Sequence, residues 1–241
     1  MFIKEFQKVE QEIWKVIFND VLVSCADYTG EDVSLENFIA VLKGDKDSVK
    51  DIGSGKVLAS GPNDDVFIYF ADHGAYGIVS FPSTFLDADT LHQTLEGMHS
   101  HQRYHQLLFY LESCESGSMF VDYLSSSDMS VLAVTAANST EPSFACFYDD
   151  HLKTFTADIF SFSWMQNSEM MNHDSESLLQ QIQFVIQKTS NYSHTSVYGS
   201  QDVESQFIGL FQGNIEMSPN KNVSSQSIID VVPSHEVELR R

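Results

Sequence analysis

Residues 109–118 read Phe-Tyr-Leu-Glu-Ser-Cys-Glu-Ser-Gly-Ser, and residues 66–74 read Val-Phe-Ile-Tyr-Phe-Ala-Asp-His-Gly. Each is a short apolar run, rich in β-branched and aromatic residues, that ends among small or acidic neighbours. One closes on Cys114 and the other on His73. Runs of this kind fit strands buried on both faces. Between them, Leu91, Leu95 and Met98 recur at helical spacing within residues 88–100. The pattern predicts a strand–helix–strand unit whose two strands are parallel and adjacent. Neighbouring strands lie about 4.8 Å apart, so residues just past their carboxyl ends meet, where open α/β sheets place their active sites. A lone cysteine is ordinarily a small buried hydrophobe and a lone histidine a satisfied polar residue. Leaving two strand ends within one crossover unit, the pair reads instead as a nucleophile and its base, a cysteine hydrolase site.

Composition bounds the rest. A chain of 241 residues can build one domain with a sizeable core, and 42% apolar residues is ordinary for a globular protein. The formal net charge of −21 argues against nucleic acid or an anionic membrane as partner. It suits an acidic compartment, where protonation removes part of that charge. The three cysteines, Cys25, Cys114 and Cys146, give no disulfide framework. No stretch approaches the roughly 20 apolar residues of a membrane span.

In residues 1–25, Phe2, Phe6, Val9, Ile13 and Ile17 recur at three- and four-residue steps, which predicts an amphipathic helix. The stretch lacks the apolar core of a secretory signal, and its balanced charge suits a space-filling helix better than a membrane-surface one. Residues 35–42 predict a short helix with Ser34 as N-cap, Asn37 three residues on and Gly44 as its stop. His92, His99, His101 and His105 lack ligand spacing and read as a solvated, His-rich surface rather than a metal site. A short helix is expected from Ser118 to Leu124, then a third parallel strand over 130–136 opening onto the same site. Residues 143–147 read as an edge segment to which an extended substrate could add as a strand. Residues 175–189 predict an amphipathic helix from Leu178, Leu179, Ile182, Val185 and Ile186, and residues 206–211 a last short strand. Triplets at Asn138, Asn191 and Asn222 fit the glycosylation sequon.

Asp72-His73-Gly74 after one strand and Glu112-Ser113-Cys114-Glu115-Ser116-Gly117-Ser118 after the next resemble the legumain family of asparaginyl cysteine endopeptidases. The resemblance runs from Asp27-Tyr28-Thr29-Gly30 through Thr135-Ala136-Ala137-Asn138, Ser143-Phe144-Ala145-Cys146, Trp164-Met165 and on to Gly213. It implies a caspase-like α/β fold, a three-layer α-β-α sandwich around a mostly parallel sheet. It divides the chain into a divergent segment at 1–26, a peptidase-like domain at 27–213 and a polar tail or linker at 214–241. By resemblance Cys114 and His73 are catalytic, backbone N–H groups of Gly74 and Cys114 hold the oxyanion, and Glu112, Ser143 and Asp158 line the substrate pocket. Asp72 is either a group that orients His73 or a carboxylate solvated at a strand end. The partners expected are peptide or protein substrates, with no cofactor and no metal, in a lysosome or vacuole.

In such proteins a segment ahead of this match supplies the first strands, an active-site asparagine and a pocket arginine; none of these is expected from this sequence, nor is a helical prodomain. Two pocket carboxylates without that cation cannot both ionise comfortably, so one should hold its proton, and poor binding of asparagine substrates is expected. Three readings stand: an active endopeptidase, a catalytically impaired homologue that only binds, and the related transamidase that attaches lipid anchors. The last fits less well, given the long match and the lack of a membrane helix.

Overall fold

The structure, a computed structural model, describes residues 2–4, 27–124, 128–213 and 227–237. In chain order the first elements are β1 (Phe2–Lys4), α1 (Leu35–Lys43) and β2 (Asp65–Ala71). A small antiparallel sheet follows, made of β3 (Gly74–Ala75), β4 (Ile78–Ser80) and β5 (Phe85–Asp87), and leads into α2 (Ala88–Ser100). Next come β6 (Gln106–Glu112), β7 (Val131–Thr135), β8 (Phe144–Asp149) and β9 (Thr154–Asp158). Helices α3 (Ile159–Met170) and α4 (Leu178–Thr189) precede β10 (Ser196–Gly199), α5 (Gln201–Glu204), α6 (Gly209–Gln212) and β11 (Val232–Pro233).

The main sheet has the order β1-β2-β6-β7-β10. Its three central strands are parallel, and an antiparallel strand closes each edge. Alternation along the strands sorts the core into two layers. Val66, Ile68 and Phe70 with Leu107, Phe109 and Leu111 face α1 and α2, meeting Phe38, Leu42, Leu91 and Leu95. Phe67, Leu108, Tyr110, Leu132 and Val134 face α3 and α4, meeting Phe160, Trp164, Leu178 and Ile182. Each of these buried side chains stabilises the fold by about 1.5–3 kcal/mol. The expected three-layer sandwich and strand–helix–strand unit are both present.

Local signals that carry their own chemistry are obeyed. Ser34 Oγ accepts the N–H of Asn37 at 3.2 Å, and Gly44 ends α1 in the left-handed region at φ 68°. Helix α4 starts at Ser177, whose capping box with Gln180 satisfies two N–H groups.

Four expectations fail. Phe2–Lys4 is not helical but pairs antiparallel with β2, Phe2 opposite Tyr69 and Lys4 opposite Phe67. Backbone groups on the open edge of β2 need partners more than this stretch needs a helix; the remaining residues of the expected helix, 5–25, lie outside the described ones. The strand expected at 206–211 is replaced by α6, because Ile208 and Phe211, both fully buried, are three residues apart. The helix expected after Ser118 is a tighter 3-10 turn at Ser116–Met119. Finally, β8 is not an edge: it is the middle of a second sheet of order β11-β8-β9, with the C-terminal segment as its outer strand. No described helix is long and apolar enough to cross a membrane.

Candidate active site

The parallel register sets Ala71 opposite Glu112, so Asp72-His73 and Ser113-Cys114 leave the sheet side by side. One more ladder bond, from Asp72 N–H to the Glu112 carbonyl at 3.2 Å, extends the pairing into both loops. Gly74 then passes against the Cys114 backbone. A β-carbon there would lie 2.6 Å from the Cys114 carbonyl oxygen and 2.8 Å from Ser113 Oγ, closer than any side chain allows. Glycine at 74 is what lets the histidine loop close on the cysteine.

The turn after Cys114 is held from several sides. Glu115 sits in the left-handed region at φ 52°, and its N–H donates to the Glu141 carbonyl at 2.8 Å. Ser116 Oγ donates to the Ala137 carbonyl at 3.2 Å and accepts the Ala137 N–H at 3.0 Å. Ser118 Oγ accepts the N–H of Gly77 at 2.8 Å, tying the turn to the β3–β4 hairpin. Backbone groups of the loop after β7 and the serine hydroxyls of the turn itself thus hold the cysteine turn under the histidine loop.

A cavity of about 230 Å³ opens at these strand ends. Asp72, His73, Glu112, Ser143 and Asp158 all line it, along with β9 residues Thr154, Phe155 and Ala157. Cys114 is 4% exposed and lies beside it, with Sγ 3.8 Å from the Ser143 hydroxyl that faces the cavity. The expected catalytic pair and the three expected pocket residues therefore converge on one place. Asp72 is there too, but its Oδ1 accepts the backbone N–H of His73 at 2.6 Å, so the recorded contact fixes the loop and not the imidazole.

Electrostatics in the cavity are those of crowded acids. Burial, then the nearby Asp158, push the Glu112 carboxyl well above its ordinary value, against the pull of its hydrogen bonds from Ser161. Burial also raises Asp158, while a hydrogen bond from Ser234 and the His73 charge oppose the rise. Asp72 is raised by burial as well. Glu112 is the more deeply buried of the central pair, so it is the one that keeps its proton. Cys146, fully buried on β8, is pushed up to about 12, chiefly by burial, and is no rival nucleophile.

Four contributors carried no sequence signal. Ser161 donates its N–H and Oγ–H to Glu112 Oε2 at 3.0 and 2.8 Å, across 49 positions. Tyr69 pairs its hydroxyl with Ser161 Oγ at 2.6 Å. Ser234 and Val237, from the expected tail, also line the cavity. The histidines of 92–105 lie elsewhere: His92 contacts Glu96, His101 bonds the Gly97 carbonyl and His105 meets Asp65. Among the described residues, no group of His, Cys, Asp and Glu is arranged to hold a metal ion.

Known proteins resemble this chain in sequence. Legumain from Bos taurus is 45% identical over 214 residues, which cover 88% of this chain and 49% of that protein. Hemoglobinase from Schistosoma mansoni is 42% identical over 81% of this chain and 44% of its own length. The vacuolar-processing enzyme beta-isozyme of Arabidopsis thaliana is 38% identical over 78% and 41%. The chain thus spans about half the length of the curated relatives it matches. A crystal structure of caspase-1 from Spodoptera frugiperda superposes with a TM-score of 0.40 over 68% of this chain and 67% of that one, at 12% identity. The Peptidase C13 family profile matches residues 11–214, and with relatives this similar over most of its length the chain belongs to the Peptidase C13 family.

Proposed function

We propose that the chain is a cysteine endopeptidase that hydrolyses peptide bonds after asparagine, working in an acidic vacuolar or lysosomal compartment. The observation that carries this reading is the shared cavity: His73, Glu112, Ser143 and Asp158 line it and Cys114 lies against it.

In this reading Cys114 Sγ, as thiolate, bonds to the scissile carbonyl carbon while its proton resides on His73. Backbone N–H groups of Gly74 and Cys114 stabilise the oxyanion, a contribution of about 10²–10³ in rate per donor. The C–N bond breaks as His73 protonates the leaving amine. Water, losing a proton to His73, then attacks the thioester and restores the thiol. An amine arriving in place of water would give ligation.

Asparagine selectivity requires one donor and one acceptor for a carboxamide. Glu112 and Asp158 supply both, provided they share a proton unequally. Neutral Glu112 has its Oε2 committed to Ser161, while its buried Oε1 makes no hydrogen bond within bonding distance among the described residues, Ser143 being the hydroxyl nearby. A proton on Oε1 donates to the carboxamide oxygen, and ionised Asp158 accepts from its NH2. The protonated acid thereby supplies the donor that a carboxamide oxygen needs. An acidic setting suits a net charge of −21 and carboxyls that burial keeps neutral.

The near-closure of Cys114 favours a second reading, a homologue that binds without cleaving. Cleavage of reporter peptides carrying Asn, Asp or Ala before the scissile bond, at pH 5 to 7, separates the two. The proposal predicts Asn-selective cleavage that Cys114→Ser abolishes. Asn-selective binding with no cleavage supports the second reading, and no selectivity contradicts both.

A further inference from the structure

The residue after Cys114 is held by a loop that lines no part of the cavity. Glu115 lies in the left-handed region, at φ 52° and ψ 23°, which a residue with a side chain keeps only when its surroundings impose it. Its carbonyl accepts the Ser118 N–H at 2.9 Å, and its N–H donates to the Glu141 carbonyl at 2.8 Å. That N–H belongs to the same peptide group as the Cys114 carbonyl, against which Gly74 passes. The peptide plane directly after Cys114 is therefore held at both ends. Gly74 packs on its oxygen, and the Glu141 carbonyl takes its N–H.

Glu141 is in turn anchored by its side chain. Its Oε1 accepts the Asn138 N–H at 3.0 Å and the His194 N–H at 2.6 Å, and its Oε2 lies 2.8 Å from His194 Nδ1. The carboxylate thus joins the loop after β7 to the chain entering β10, 53 positions away. Burial raises this carboxyl, but the bonds from Asn138 and His194 outweigh it and hold it below its ordinary value. The anchored loop meets the cysteine turn without slack. A β-carbon at Gly117 would lie 2.9 Å from both the Asn138 carbonyl carbon and the Ser139 nitrogen, so a shift of the loop is a shift of the turn.

We infer that Glu141 is a positioning residue: its carboxylate staples the loop whose carbonyl fixes the Cys114–Glu115 peptide, and so sets the Cys114 thiol and N–H against the scissile carbonyl. This rests on Cys114 being the nucleophile, as proposed above. Glu141 does not line the cavity, so its loss should spare substrate binding and slow the chemical step.

The test uses the full chain and reads kcat and KM on an Asn reporter at pH 5.5, with hydrogen exchange of the Glu115 amide followed by NMR. Glu141→Ala should lower kcat about 100-fold, the effect of a displacement near 1 Å, and leave KM within about threefold. The Glu115 amide should exchange at least about tenfold faster. Glu141→Gln, whose amide oxygen still accepts both N–H groups, should return kcat to within about threefold. His194→Ala keeps its backbone N–H and loses only an exposed imidazole contact, so it should cost about threefold or less. Unchanged kcat or unchanged Glu115 exchange in a folded Glu141→Ala variant would overturn the proposal. A loss carried by KM, or a Glu141→Gln variant as slow as Glu141→Ala, would overturn it too. If Glu141→Ala fails to fold, Glu141→Asp decides: it keeps the charge but shortens the reach, so it should be slower than Glu141→Gln, and equal rates would overturn the proposal. Cleavage that survives Cys114→Ala, or a chain that never cleaves the reporter, instead defeats the nucleophile reading, and the inference with it.

Discussion

Glu112, at the end of β6, caps the helix that Asp158 begins. Asp158 holds the N-cap position of α3, yet its side chain makes no capping bond. The Ser161 N–H in the first turn of that helix donates to Glu112 Oε2 at 3.0 Å instead. The exchange releases Asp158 for the cavity and ties the sheet to α3 through a buried carboxyl. A helix N-terminus favours an anion, but full burial and a second acid nearby outweigh it.

Glu112 makes stability fall as pH rises. In the unfolded chain it loses its proton near 4.5, whereas the folded protein holds that proton well above this value. Between the two values the unfolded state binds fewer protons, so its share of stability is intact below about 4.5 and is lost toward neutrality. Asp158, Asp72 and Glu176, all raised by burial, act in the same direction. Glu112→Gln should flatten this slope and gain on the order of 1 kcal/mol at pH 7. Urea unfolding at pH 4.5, 6 and 7.5 measures it; equal slopes for both proteins would refute the assignment.

Ser161→Ala removes one of the two bonds to Glu112 and the partner of the Tyr69 hydroxyl. The expected cost is about 1–3 kcal/mol, since the Glu112 carboxyl that loses the bond is buried. Thermal unfolding reads it, and a change within about 0.5 kcal/mol would show that the hydroxyl is dispensable.

Gly74→Ala drives a β-carbon into the Cys114 carbonyl. Since the clash is with backbone, the histidine loop must move. Activity on an Asn reporter should drop at least about 100-fold, as a displacement near 1 Å costs that much, while the melting temperature falls only a few degrees. Retained activity would mean that the close approach is not needed.

Much of this was legible because the decisive signals are local. Val66, Ile68 and Phe70, and the run ending at Cys114, declare buried strands without outside help, and Ser34 with Gly44 brackets α1. The pocket residues Glu112, Ser143 and Asp158 came from resemblance and meet in one cavity. What stayed hidden depends on distant partners. Two residues, Val232 and Pro233, form no pattern, and only their docking on β8, some 88 positions earlier at Ala145 to Phe144, makes them a strand. Ser161 and Ser234 are ordinary serines until Glu112 and Asp158 face them. Phe207 misled because a short apolar run does not declare its period; it forms only an isolated bridge to Ser177.

The central claim is that Cys114, and not Cys146, is the nucleophile of an asparagine-directed site. A peptide electrophile bearing asparagine, incubated with the full chain near pH 5.5 and followed by mass spectrometry of the digest, tests it directly. The account predicts a single covalent adduct on Cys114, formed much more slowly after His73→Ala and outcompeted by an Asn peptide but not an Ala peptide. No adduct on Cys114, or equal labelling of Cys146, would contradict it.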